Sequence, residues 1–189
     1  MVRMPAPSSP NRCAKAPANS ISALALAKYL GNKLCPGLVY EAMEAIGGMG
    51  YVEDTPLPLL YREAPLNSIW EGSGNVICLD ILRTLHKEPL AGERLSAELG
   101  AASGQYRRYD TALKAHMERF PKLPEEGAAR WYAESLATLL TASVLIRHAP
   151  AEVAEGYVAT RLTGDRGRTA GAIRGVDYAA LVGRIGGAG

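Results

Sequence analysis

Apolar residues recur at helical spacing over most of this chain, and sustained apolar–polar alternation, the mark of a half-buried strand, is missing. Ala129, Tyr132, Leu136, Leu139, Ser143 and Ile146 advance by alternating steps of three and four. Leu95, Leu99, Ala102, Tyr106, Tyr109, Leu113 and Met117 do much the same. Such spacing lays one stripe along a helix and scatters residues over both faces of a strand. Aromatic residues make up only 6% of the chain while hydrophobic residues reach 48%, which favours thin helical layers over aromatic-rich sheets. The expected fold is all-α, an antiparallel helical bundle, and 189 residues suffice for one such domain.

The segments follow from the punctuation. Residues 1–20 hold four prolines and no periodicity, and read as a disordered leader. A helix is expected from Ile21, interrupted at Cys35-Pro36-Gly37, because proline disfavours a helical residue before it. A second helix then covers Gly37 to Ile46, stopped by Gly47 and Gly48. Residues 49–68, with three prolines, read as a long loop, and loops of that length are usually functional. A third helix is expected from Ser73 to Lys87. Two strong amphipathic segments follow, with Phe120 to Pro124 as the turn between them, then a helix opening at Pro150 and ending by Gly164. Residues 166–189 read as a short helix near Asp177 to Ile185 and a flexible tail.

Several function classes drop out on composition. Cys13, Cys35 and Cys78 are odd in number and far apart, so a disulfide framework and a zinc site are both disfavoured, and a cytoplasmic setting is expected. The N-terminus lacks the apolar run of a secretory signal, and ISALALAKYL is too short to span a bilayer. With 21 basic and 19 acidic residues, global charge does not advertise nucleic-acid binding.

Two glycine clusters and one carboxylate remain. Gly47-Gly48-Met49-Gly50-Tyr51 closes a helix, where glycines permit positive φ and the close approach of a flat ligand. Trp70-Glu71-Gly72-Ser73-Gly74-Asn75 opens another, where orphan N–H groups favour an anion or a carbonyl oxygen. Ser73 is a suitable N-cap, and Glu71 stands just outside the helix.

These elements, with YREAP between them, carry a resemblance. Residues 40–83, YEAMEAIGGMGYVEDTPLPLLYREAPLNSIWEGSGNVICLDILR, closely resemble the flavin-dependent acyl-CoA dehydrogenase family, in the branch that includes the bacterial DNA-alkylation-response flavoprotein. ALAKY before this stretch and RHAPAEVAEGYVATRL after it are similar to the same branch, so the resemblance extends over residues 21–165. It implies the family's C-terminal helical bundle, FAD as cofactor and acyl-CoA as substrate. Glu44, Gly47 and Gly48 match the positions that meet the flavin nucleotide of a neighbouring subunit. Ser73 and Asn75 match contacts to the cofactor on their own side, Gly72 lies at the acyl thioester position, and Glu71 matches the catalytic base of most members. A carboxylate in an apolar pocket suits that role, because desolvation raises its pKa toward neutrality. A homo-oligomer is implied as well.

There are departures. Met49 replaces the asparagine of the usual GGNGY, and Leu59 stands where the branch has an arginine before Leu-Tyr-Arg. Arg62 and Glu63 are retained and are expected to form a structural ion pair. Family members also carry an N-terminal helical domain and a β-domain that nothing before residue 21 could replace, so the chain reads as a C-terminal fragment. A second reading is a DNA-associated module of the alkylation-response branch: residues 83–189 hold 15 basic and 12 acidic residues, with Arg107, Arg108, Arg161, Arg166, Arg168 and Arg174 among them. Interspersed Asp110, Asp165 and Asp177 argue for a solvated face instead. His86, His116 and His148 are expected at surfaces or helix ends, and Tyr106 and Tyr109 in the core.

Overall fold

The computed structural model describes residues 18–70, 72–164 and 166–186. Among them the chain is helical and without strands. The helices are α1 (Ala18–Ile46), α2 (Leu57–Glu63), α3 (Gly74–Lys87), α4 (Pro89–Gly100), α5 (Arg107–Arg119), α6 (Ala129–His148), α7 (Ala151–Arg161) and α8 (Tyr178–Gly186). Most of the leader expected over residues 1–20 lies outside the described residues, and Ala18 to Ser20 already belong to α1. No helix among the described residues is long and apolar enough to cross a membrane, and none of their side chains cluster as metal ligands.

α1 is the spine of the bundle and packs on α3, α4 and α6. Its Leu26 and Tyr29 are buried with Ile77, Cys78 and Ile81 of α3 and with Leu136 and Leu139 of α6. On α6, Ala129, Ala133 and Ala137 recur every fourth residue and are all buried, so the helix offers its neighbours a low surface. Tyr29 reaches Arg130 near the start of α6, whereas Ala23 shares a groove with Val144 and Leu145 near its end. The two helices therefore run antiparallel.

The expected break at Pro36 does not occur: α1 runs unbroken through it. Proline lacks the N–H that would bond to the carbonyl four residues back. That carbonyl belongs to Asn32, and Ser68 Oγ donates to it at 3.1 Å. Asn32 Nδ2 in turn donates to the Asn67 carbonyl at 2.5 Å. The long chain segment folded onto α1 thus repairs the orphan that Pro36 creates. Ser68→Ala is expected to cost about 1 kcal/mol in chemical denaturation, a usual value for one part-buried hydrogen bond. In a Pro36→Ala background, where residue 36 supplies its own N–H, the same change should cost less than half as much. Equal costs in the two backgrounds would refute the repair.

Residues 49–68 are not a loop. Gly47–Gly50 form a 3-10 turn, α2 opens after Pro56 with Pro58 in its first turn, and Ala64–Ser68 form a second 3-10 turn. Prolines erase the apolar rhythm a reader looks for, yet a first turn tolerates them because its N–H groups have no helical acceptor. The ion pair expected between Arg62 and Glu63 is a different one. Arg62 makes a fork with Glu53, at 2.7 and 3.2 Å, and this holds the Glu53 carboxyl below its usual pKa.

The apolar stripe from Leu95 to Met117 is two helices rather than one. The chain turns after Gly100, with Gly104 at φ +83° and its N–H donating to Asp110 Oδ1 at 3.0 Å. Tyr109 is fully buried and gives its hydroxyl to the Leu99 carbonyl at 2.7 Å, closing the corner from inside. Tyr106 is half-buried against the same core. α7 follows Pro150 as its N-cap.

Candidate functional site

The start of α3 holds one of the two glycine clusters. The 3-10 turn before it ends with Ile69 and Trp70 both donating to the Leu66 carbonyl, at 2.9 and 3.2 Å. Glu71, the expected catalytic base, lies outside the described residues. Gly72 has φ +106°, a conformation that L side chains rarely adopt, and Ser73 is extended as the N-cap. Ile77 N–H donates to the Ser73 carbonyl at 3.0 Å, so the first-turn N–H groups before it keep no helical acceptor. The Ser73 hydroxyl makes no capping bond. Ser73 and Asn75 are exposed.

Gly74 shows how this turn is seated. A Cβ there would lie 2.7 Å from Lys33 Cε, 3.1 Å from Lys33 Nζ and 3.6 Å from the Tyr29 ring. A Cβ at this position would have to displace the flexible end of the Lys33 side chain. The contact also brings the Lys33 ammonium beside the first turn, and Lys33 has no carboxylate partner among the described residues. Beneath it, the buried Tyr29 bonds to Arg130 and to the thiol of Cys78. Burial raises the pKa of both Tyr29 and Cys78, against the lowering effect of those bonds. The thiol therefore stays protonated and inert at neutral pH. A cation, together with N–H and O–H donors that have no partner among the described residues, suits an anion or a polarised carbonyl oxygen at this helix start. Lys33, Tyr29 and Arg130 were not legible as site residues, although the four-residue step from Tyr29 to Lys33 puts both on one face of α1.

The diglycine bend is built separately. Gly47 takes φ +68°, Tyr51 N–H donates to the Gly48 carbonyl at 3.1 Å, and Thr55 Oγ1 donates to the Met49 carbonyl at 3.1 Å. A Cβ at Gly47 or Gly48 would meet nothing within 4 Å, so their backbone is open to a partner. Tyr40 donates its hydroxyl to the Glu44 carboxylate, which pushes the Tyr40 pKa up, and its ring sits 6.3 Å from that of Tyr61. Glu44 is thereby held just before the bend. Lys33 touches the α3 start, and Gly47 lies fourteen residues further along α1, about 20 Å at the helical rise. The fold thus gathers Gly72, Ser73 and Asn75 at one place and Glu44, Gly47 and Gly48 at another.

His116 lies in the last turn of α5, at a helix end as expected, but it is not exposed there. His116 is buried, with Nδ1 2.8 Å from Ser135 Oγ and its ring 5.2 Å from Phe120 and 5.4 Å from Tyr132. Burial, and then the nearby Arg119 guanidinium, push its pKa below the ordinary 6.5. Its helical position places it among the aromatic residues of the α5–α6 turn rather than in water. His86 and His148 are exposed near helix ends.

Comparison with known proteins extends these observations. Residues 11–86 match the model of the acyl-CoA dehydrogenase C-terminal domain family. AidB of Escherichia coli (strain K12) is 39% identical over 131 residues, 69% of this chain and 24% of that protein. Acyl-CoA dehydrogenase family member 11 of Caenorhabditis elegans is 33% identical over 64% of this chain and 23% of its own length. Among solved structures, Caenorhabditis elegans ACDH-11 in complex with C11-CoA superposes with a TM-score of 0.58 at 28% identity, covering 78% of this chain and 28% of the other. The chain thus spans about a quarter of the length of the curated relatives it matches. Matched residues, their order and their helical packing agree: the domain that begins with α1 and α3 is of the acyl-CoA dehydrogenase C-terminal type.

Proposed function

We propose that this chain supplies the C-terminal helical part of an FAD-dependent oxidoreductase that desaturates acyl-CoA thioesters between Cα and Cβ. The single observation that carries this is the start of α3, where Gly72 at positive φ, a Ser73 hydroxyl and first-turn N–H groups without partners among the described residues stand beside Lys33. The donor set fits a flavin cofactor in two halves. Ser73, Asn75 and the first turn of α3 would hold one part on their own side. Glu44, Gly47 and Gly48, at the far end of α1, would meet the cofactor of a neighbouring subunit, and their separation from Ser73 along α1 suits such a division. Exposed Leu38, Tyr40, Ile46, Met49 and Tyr51 around the bend would be covered in that homo-oligomer.

FAD, when bound, would accept the hydride leaving Cβ. Glu71 would take the α-proton on a carboxylate oxygen. Gly72 would leave its backbone open for the thioester, with no Cβ to fill the space. Trp70, which is 59% exposed in this chain, would cover the reacting atoms against water. Lys33 would stabilise negative charge brought to the α3 start.

The cofactor half of this reading is tested by adding the chain to FAD and following isoalloxazine fluorescence. Saturable quenching is expected, with the Ser73→Ala, Asn75→Ala double variant binding about tenfold more weakly through the loss of two hydrogen bonds. Fluorescence that stays unchanged in the presence of folded chain would overturn it.

A further inference from the structure

A cavity of about 300 Å³ lies between α5, α6 and the end of α7, and shares no lining residue with either half of the flavin site. Its floor is apolar and low, made by Ala112 and Ala115 of α5, Leu139 of α6 and Leu162 after α7. Two guanidinium groups line it, Arg119 and Arg161, and neither has a carboxylate partner among the described residues. Arg119 lies over the Trp131 ring, 4.5 Å from its centre. That stacking orients the guanidinium plane and leaves its N–H donors uncommitted. Between the arginines and the floor stand the His116 and Ser135 side chains, 2.8 Å apart. When His116 donates from Nδ1 to Ser135 Oγ, the serine proton is free to point into the cavity, and an anion there selects that tautomer. The Thr138 hydroxyl also lines the cavity but gives its proton to the Glu134 carbonyl at 2.7 Å.

We propose that this cavity binds a small organic phosphomonoester, with its phosphate shared by Arg119 and Arg161 and its organic part on the alanine and leucine floor. One bidentate arginine satisfies a carboxylate, whereas a phosphate has a third oxygen and a second charge for the other fork. The Ser135 hydroxyl adds a neutral donor. Among the described residues Glu134 is the one carboxylate on the cavity lining, and its field acts on Arg130, one turn earlier on the same helix. It opposes any anion, so its removal must tighten binding if the ligand is negative. The proposal does not depend on the flavin reading, and FAD binding at α3 can fail without touching it.

The test uses the full chain carrying Trp70→Phe, which leaves Trp131 as the sole indole and the reporter of the cavity. Phenyl phosphate is titrated while Trp131 fluorescence is read. A saturable change is expected, with phenol silent and inorganic phosphate binding more weakly because it lacks contact with the floor. Arg161→Ala, at an exposed helix end, should weaken binding by about tenfold, the loss of a charge-assisted contact. Glu134→Gln should tighten it by about threefold, the relief of one exposed like charge. Circular dichroism checks that both variants remain folded. No Trp131 response to phenyl phosphate overturns the proposal, as does unchanged affinity in Arg161→Ala or weaker affinity in Glu134→Gln. A short DNA duplex should not displace phenyl phosphate; displacement would make the cavity a backbone-phosphate contact and overturn the phosphomonoester.

Discussion

Replacing Gly50 with valine is expected to destabilise the chain by about 3 kcal/mol, because overpacking against backbone leaves no side chain to give way. Gly50 is buried under the diglycine bend, and a Cβ at that position would collide with the Met43 carbonyl oxygen and come 2.8 Å from its carbon and Cα. Met43 is in α1, so the obstacle is a hydrogen-bonded helix rather than a rotamer. The 3-10 turn would have to swing away, carrying Gly47 and Gly48 with it. Gly48, two residues earlier, supplies the control. A Cβ there meets nothing within 4 Å and its φ is not positive, so Gly48→Ala should cost under about 1 kcal/mol. Urea denaturation followed by far-UV circular dichroism reads both. Equal tolerance of the two changes would mean that the bend does not rest on Met43. If the bend meets a flavin nucleotide, the Gly50 variant should also quench FAD less well than its residual folded fraction accounts for.

Ile81→Ala should have a comparable or larger effect, a loss of roughly 2–5 kcal/mol from the removed methyl groups and the cavity they leave. Ile81 is 1% exposed on α3 and belongs to the same buried cluster as Leu26, Tyr29, Leu85 and Leu136. Three helices meet there, and none can collapse into the gap without pulling the others. Val76, on the same helix, is 46% exposed, and Val76→Ala should stay within about 0.5 kcal/mol. The contrast separates burial from helix propensity, which changes in the same direction at both sites. A small effect at Ile81 would show that α3 is held mainly through Gly74 and its contact with Lys33. In that case the start of α3 would move readily, and the Ser73–Asn75 donors would not be preorganised for a ligand.

Much of this fold is legible from period alone. The stripe over Ala129 to Ile146 is the buried face of α6, and helical period likewise puts Ile77, Ile81 and Leu85 of α3 on one buried face. Caps are legible too, since Ser73 before α3 and Pro150 before α7 sit where orphan N–H groups need no helical acceptor. The errors share one cause. Pro36 breaks an isolated helix, and only the arrival of Ser68, thirty-six residues from the orphaned Asn32 carbonyl, makes it harmless. The stripe through Gly100 to Tyr106 stays in phase across the corner because Leu99 and Tyr109 face the same core from both sides of it. Prolines at 56, 58 and 65 hide two short helical turns for the same reason that they are tolerated there.

The candidate site divides the same way. Residue types single out Gly47, Gly48, Gly72 and Ser73, because a backbone that must approach a ligand needs glycine and an open helix start needs a hydroxyl, whereas Glu44 and Asn75 enter only through what the family resemblance implies. Lys33 beside Gly74, the Tyr29–Arg130 support beneath it, and the His116–Ser135 pair above an alanine floor could not be found that way. Local chemistry, written in consecutive residues, determined the helices, their caps and the two glycine turns. Packing between helices distant in the chain decided which orphan carbonyl is repaired, which cation faces which helix end, and how far apart the two halves of the site stand. Period and propensity act over a few residues, whereas those contacts exist only once whole helices have settled against one another.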